Sequence, residues 1–268
     1  MNLQSYIKDI RKDGKRCFTI EDIVAQFHVS HNHARVSLHR LLKTRDVISP
    51  ARGLYVIIPP EHQPHGSIPA KELVPLMMQY LGANYYVALL TAGLFHGATH
   101  QKPARFQVIS DKRIKHSLTF GDIEIEFIYK KSISALPVQN FTVSTGYLKI
   151  ATPELMALDL LNYPNHAGGL NHIATVLSEL VENLDATKLI KLAKDIKAEH
   201  QLQRIGYILD NIEIIDDNHA EIIINALASY VAEHKLKYLP LASEIPKTGY
   251  PRCKKWRIIN NTEIESDL

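Results

Sequence analysis

The chain has 268 residues, 46% of them hydrophobic and 22% charged. That composition excludes wholesale disorder, and at roughly 100–200 residues per domain it leads to an expectation of two domains. Mean hydropathy is −0.11, and no apolar run approaches the ~18–20 residues of a membrane span. The start Met-Asn-Leu-Gln-Ser-Tyr lacks the basic and apolar segments of a secretory signal. Two cysteines, Cys17 and Cys253, are too few for a disulfide framework or a cysteine zinc site. A protein of the reduced cytoplasm, without a membrane partner, is therefore expected.

Net charge is +3, but residues 1–60 hold ten Lys/Arg against five Asp/Glu, a net +5, and residues 61–268 hold 21 against 23, a net −2. A small basic front on a near-neutral body points to an anionic partner for the front.

In chain order, Leu3, Tyr6, Ile7 and Ile10 recur at helical spacing and predict a helix over 2–12, with Gly14 just past its end. Thr19 can cap a second helix with Asp22 three residues on, and Ile20, Ile23, Val24 and Phe27 form its apolar stripe. His28-Val29-Ser30 reads as a tight turn, with Ser30 capping a third helix to about Lys43. Short strands follow: Val47-Ile48-Ser49, a Pro50-Ala51-Arg52-Gly53 tip, and Leu54 to Ile58. Helix, helix, turn, helix and β-ribbon is the order of a winged helix-turn-helix. The Pro-rich stretch Pro59–Gly66 reads as a semi-rigid linker, which puts a DNA-binding domain at 1–60 and a second domain at 61–268.

The body predicts helices at 69–81 and 85–97, and strands at Phe106–Ser110, Ile114–Phe120 and Ile123–Tyr129, the last two paired across Gly121-Asp122. A strand near Tyr147–Ile150 precedes helices at 153–162, 170–183, 186–197, 199–211 and 219–233. Two strand-like pieces, Leu236–Leu239 and Lys255–Ile259, lie in a basic tail over 235–268. The fold class is α+β, with an N-terminal winged helix-turn-helix domain, then a mixed α+β domain whose C-terminal half, from about 153 to 233, is helical.

On the third helix the apolar face centres on Ala34, Leu38, Leu41 and Leu42. The opposite face carries Asn32, His33, Val36, His39, Arg40 and Lys43, with Arg35 on the same helix. Asn can pair with adenine, Arg or Lys with guanine, and Val can touch a thymine methyl. Asn32, Val36, Arg40 and Lys43 are expected to face bases. Ser30 and His31 lie at the helix N-terminus, which favours phosphate; with Arg45 and the tip residue Arg52 they are expected to face the backbone. In the tail, Lys254, Lys255 and Arg257 beside Trp256 are a candidate second backbone contact.

Other chemistries find weaker support. His31 and His33 lie about 200° apart on a helix, so His28, His31, His33 and His39 predict no metal site. Glu124 and Glu126 alternate with Ile123, Ile125 and Phe127, which puts the acids on the outward face of a half-buried strand. His96 and His100 share metal-ligand spacing, but Gly97 ends that helix and a buried or capping histidine is expected. Gly66-Ser67 has no following acid pair of the kind a nucleotidyltransferase uses, and Gly168-Gly169 reads as a tight turn into a helix. Gly206 inside a helix is costly, and close helix–helix approach is the expected reason. No dinucleotide fingerprint, P-loop or nucleophile elbow occurs, so neither an enzyme nor a cofactor is expected.

Several of these segments together resemble AbiEi-type antitoxins, the transcriptional regulators of type IV toxin–antitoxin (abortive infection) systems. They are Thr19–Pro59 ending Arg52-Gly53-Leu54-Tyr55-Val56, Tyr86 to His96-Gly97, Thr152-Pro153-Glu154 to Asp159-Leu160-Leu161, Gly168-Gly169-Leu170, and Arg204-Ile205-Gly206-Tyr207. The resemblance covers about residues 5–210; the basic tail after 235 has no place in it. It implies an antitoxin that counteracts a nucleotidyltransferase-like toxin, and an N-terminal domain that represses the operon by binding inverted repeats in promoter double-stranded DNA. Its C-terminal domain would serve antitoxicity and support DNA binding. A protein-interaction antitoxin that neutralises the toxin by direct binding, and a general winged-helix regulator, are the alternatives.

Overall fold

The structure, a computed structural model, describes residues 2–99, 102–214 and 217–264; His100, part of the His96/His100 spacing, lies outside the described residues. The chain divides into two compact units, one of Met1–Tyr86, Ala104–Ala135 and Asn140–Lys149, the other of Val87–Pro103, Leu136–Gln139 and Ile150–Leu268.

The first unit opens with α1 (Leu3–Lys12), β1 (Cys17–Thr19), α2 (Ile20–Phe27), α3 (His31–Lys43), β2 (Val47–Ala51) and β3 (Leu54–Ile57). The capping box at α2 is present, with Thr19 Oγ1 accepting from Asp22 N at 3.1 Å and Asp22 Oδ2 accepting from Thr19 N at 2.7 Å. Ser30 Oγ caps α3 by accepting from His33 N at 3.3 Å. β1 was too short to show in the sequence pattern. It pairs antiparallel with β3, Cys17 opposite Val56, and closes a three-stranded sheet of order β1-β3-β2. Leu3, Ile7 and Ile10, Ile20 and Ile23, Ala34, Leu38 and Leu41, and Val47, Tyr55 and Ile57 form one core. Phe18 stacks on Tyr55 and meets Tyr6 edge-on, with both centroid separations at 5.7 Å.

The stretch expected to be a linker forms a 3-10 helix over Pro60–His65 and ends on Gly66 at φ +69°. It leads into α4 (Ala70–Leu81) and β4 (Tyr85–Val87). The helix expected over 85–97 is thus a strand followed by α5 (Leu89–His96). The aromatic and β-branched triplet Tyr85-Tyr86-Val87 suits a sheet, and Leu89 breaks the path with φ +51°. Next come β5 (Phe106–Ser110), β6 (Ser117–Phe120) and β7 (Ile123–Tyr129). The hairpin across Gly121-Asp122 is present, with Phe120 opposite Ile123, and β5 runs parallel to β7. β8 (Val138–Val143), which the pattern did not reveal, and β9 (Gly146–Ala151) complete a six-stranded sheet of order β6-β7-β5-β4-β9-β8.

Glu126 departs from the outward face assigned to it. β7 lies between β6 and β5, and Glu126 is buried, accepting from Gln107 Nε2 at 3.0 Å with His116 Nε2 at 3.3 Å. Glu124 is half-buried. The Ser117 hydroxyl holds its carboxyl below the usual range; desolvation opposes this, and the nearby Arg105 guanidinium reinforces it.

The second unit is helical: α5, α6 (Pro153–Asn162), α7 (Gly169–Leu180), α8 (Ala186–Asp195), α9 (Glu199–Leu209) and α10 (Asp217–Glu233). Every residue of α6 from Pro153 to Leu161 is buried, because α5, α7, α8 and α9 all pack on it. The tail is ordered into β10 (Leu239–Pro240), β11 (Arg252–Cys253) and β12 (Ile258–Ile259), in sheet order β10-β12-β11. Gly206 has a cause other than a neighbouring helix: a Cβ built there would stand 1.9 Å from Trp256 Cζ3. The tail's indole, fully buried, fills the notch that glycine leaves on α9, and its Nε1 donates to Asp210 Oδ2 at 2.8 Å.

Candidate nucleic-acid interface

α3 divides cleanly. Ala34, Leu38 and Leu41 are buried in the front core. Every candidate contact residue is exposed: Ser30, His31, Asn32, His33, Arg35, Val36, His39, Arg40, Lys43, Arg45 and Arg52. Val36 stands out with 60% of its surface open, an apolar side chain among polar and cationic ones. Among the described residues, no ion pair within 4 Å involves Arg35, Arg40, Lys43, Arg45 or Arg52. The face is therefore a set of uncompensated cations on a rigid helix. Such an arrangement attracts a polyanion and lets Asn, Arg and Lys tips reach hydrogen-bonding edges.

The flanks are held by backbone geometry. His28, at the turn into α3, has φ +49°, and Arg45, just after α3, has φ +58°. Side chains seldom take this left-handed conformation, and it costs on the order of 1–3 kcal/mol where it occurs. At the strand tip, Ile20 N donates to Gly53 O at 2.9 Å and Tyr80 Oη donates to Arg52 O at 3.0 Å. A Cβ on Gly53 would stand 2.8 Å from that phenol oxygen. β2 reaches Ala51, so the tip is Arg52-Gly53 alone, and Arg52 is displayed on a fixed turn. Burial pushes the Tyr55 phenol up, opposed by the Arg35 charge.

The tail candidates fare differently. Lys254 is exposed. Lys255 Nζ lies 2.7 and 2.8 Å from the Asp210 carboxylate oxygens, and Arg257 Nη1 donates to Leu236 O at 3.0 Å. A further set of exposed cations, Lys8, Arg11, Lys15 and Arg16 on and after α1, makes up four of the front's ten Lys/Arg and lies outside the predicted contact face. Only their share of the charge count could have signalled them. Among the described residues no group of three or more His, Cys, Asp or Glu is placed to hold a metal ion, and no helix is long and apolar enough to cross a membrane.

The motif residues of the body make internal bonds. His96 Nε2 is 2.7 Å from Ala151 O, and Asn183 Nδ2 donates to the His96 carbonyl at 3.2 Å. Thr152 Oγ1 caps α6 by accepting from Leu155 N, and Glu154 Oε1 accepts from Asp185 N at 3.3 Å. Asp159 is fully buried; burial, then the Asp159 charge, pushes the Tyr163 phenol up to about 12. Gly168 and Gly169, at φ +79° and +87°, form the tight turn into α7. Arg204 donates to Pro240 O at 3.0 Å and Leu241 O at 3.1 Å.

Residues 86–211, which hold these motif residues, match the family model of the AbiEi antitoxin C-terminal domain. That match spans 126 of the 268 residues and supports an AbiEi-type antitoxin, a family that is regulatory and non-enzymatic. The class implies a toxin as its counterpart. No curated protein matches the chain. Among solved structures it is similar to the one described as the crystal structure of RV2827C protein from Mycobacterium tuberculosis. That likeness has a TM-score of 0.66 and 14% identity, and covers 95% of this chain and 89% of that one. It is a likeness of fold.

Proposed function

We propose that this antitoxin represses its own toxin–antitoxin operon. In this reading residues 1–60 are a winged helix-turn-helix domain, α3 is its recognition helix, and the β2–β3 ribbon is its wing. Residues 61–268 form the antitoxin domain. The target is double-stranded promoter DNA with inverted repeats, one copy of the chain on each, and the setting is the cytoplasm. Asn32, Val36, Arg40 and Lys43 read bases, while Ser30, His31, Arg45 and Arg52 hold the phosphate backbone. His33, Arg35 and His39 line the rim, and Lys254 adds a backbone contact from the tail. The counterpart is a nucleotidyltransferase-like toxin of a type IV phage-defence system.

One observation carries the reading. The eleven candidate residues are all exposed while Ala34, Leu38 and Leu41 of the same helix are buried, so the face has no part in the front core. A mobility-shift assay on the chain's own promoter tests it. Retarded bands are expected with the wild-type chain and lost with Arg40→Ala/Lys43→Ala. An unchanged shift by that variant would overturn the assignment. Stable co-purification of the toxin in the absence of promoter binding would favour neutralisation by direct contact instead.

A further inference from the structure

The hairpin turn Gly121-Asp122 lies against the segment Pro60–Gly66, backbone on backbone. A Cβ built on Gly121 would stand 1.8 Å from the His65 carbonyl oxygen and 2.8 Å from the Gly66 carbonyl carbon. Both glycines have positive φ, +54° at Gly121 and +69° at Gly66. Asp122 N donates to the same His65 oxygen at 3.0 Å, and Asp122 Oδ2 lies 3.0 Å from His65 Nδ1. That side-chain pair is largely exposed and adds little on its own. The glycine contact is the part no other residue could make.

The gripped segment in turn meets the end of α3. Gln63 Nε2 donates to Asp46 Oδ1 at 3.3 Å, and a Cβ on Gly66 would lie 4.0 Å from Arg45 Nη1. Arg45 is also the residue whose left-handed backbone must be held by its surroundings. A continuous set of contacts therefore runs from the β6–β7 turn, through residues 60–66, to Asp46, the residue that follows Arg45 just past the recognition helix.

We infer that the Gly121-Asp122 turn is a positioning element for DNA binding: its contact with Gly66 sets where Arg45 meets the phosphate backbone. The inference rests on the reading of α3 as the DNA face. A methyl group at 121 must displace the His65 carbonyl, and Arg45 loses the support that reaches it through the Gln63–Asp46 hydrogen bond next to it. The rest of α3 stays in place, because its cap and its Leu38 packing do not involve the turn.

Fluorescence anisotropy of the full chain on its promoter duplex, across a salt series, is the test. Gly121→Ala should weaken binding roughly tenfold and lower the slope of log K against log salt by about one, the mark of one lost phosphate contact. Arg45→Ala should do the same, and the double variant should lose no more than either alone. Amide exchange should quicken over residues 60–66 and stay slow in α6. Unchanged affinity and slope for Gly121→Ala, or losses that simply add in the double variant, overturn the inference. Should Gly121→Ala fail to fold, Gly66→Ala, whose Cβ would meet Gly121 Cα at 3.1 Å, takes its place under the same criteria. A wild-type chain that binds no promoter duplex sinks the DNA reading and this role together. Wild-type binding with an unaffected Gly121→Ala sinks the positioning role alone.

Discussion

The α3 face and the C-terminal tail are both basic in sequence, and they use their charge in opposite ways. On α3 the cations project from a helix whose other side fills the front core, and no acid within 4 Å compensates them among the described residues. In the tail, Lys255 is clamped on Asp210, Arg257 is spent on a carbonyl, and the aromatic residue between them is sealed against Gly206. A run of positive charge becomes a surface for a polyanion only where the backbone leaves it without a local partner. Where an acid and a notch await it, the same composition fastens a segment to the protein.

The largest effect that would break this contrast lies in the tail. Trp256→Ala should destabilise the second unit by about 3–5 kcal/mol through the cavity left on α9. Urea unfolding measures that, and a loss below about 1 kcal/mol would show that the tail is not fastened as described. Gly206→Ala should cost about 1–3 kcal/mol by overpacking against the same indole.

Next in size is Arg40→Ala/Lys43→Ala. Each contact to a base edge is worth about 1–3 kcal/mol, so promoter affinity should fall at least thirtyfold while the melting temperature stays within about 2 °C. A stability loss as large as the binding loss would mean that these side chains serve the fold.

A smaller effect separates neighbours within the tail. Lys254→Ala should lower the salt slope of promoter binding by about one and leave stability alone. Lys255→Ala should leave the salt slope alone and cost at most about 1 kcal/mol of stability, since its pair with Asp210 is partly open to solvent. The reverse assignment would exchange the roles of the two lysines.

The smallest effect is a pH dependence. Burial, and then the Arg204 charge, lower the His200 pKa in the fold. The unfolded chain therefore binds the proton more readily, so the contribution of this site is full above about pH 6.5 and declines as pH falls below that value. Subtracting the unfolding curves of a His200→Gln variant from those of the wild type should isolate a shallow decline between about pH 6.5 and 5. A difference that is flat, or that rises toward acid, contradicts the partial desolvation of that exposed ring.

Local signals carried most of the helical reading. Capping residues such as Thr19 and Ser30 act on their own first turns, and apolar spacing on α2 and α3 depends only on the helical period, so both are legible in a bare sequence. The hairpin at Gly121-Asp122 was legible for the same reason, because turn chemistry and alternation are local. Three-residue β1 carries too few residues for a period to show, six-residue β8 at the sheet edge has no fully buried residue to mark an apolar face, and the Tyr85–Val87 strand merges with the helix that follows it. The candidate α3 face could be listed residue by residue from the wheel alone, since one buried stripe fixes the opposite face.

What the sequence by itself determined, then, is the basic front, the helix order, the amphipathic split of α3 and the family of the body. Only the tertiary structure decided which cations stay free, why residue 206 is glycine, and that the stretch before α4 is gripped by a distant turn. Those outcomes depend on residues 21 to 57 positions apart along the chain, Arg257 with Leu236 and His65 with Asp122 among them. No periodicity encodes such pairings, because they arise only when separate elements pack and leave room for one another.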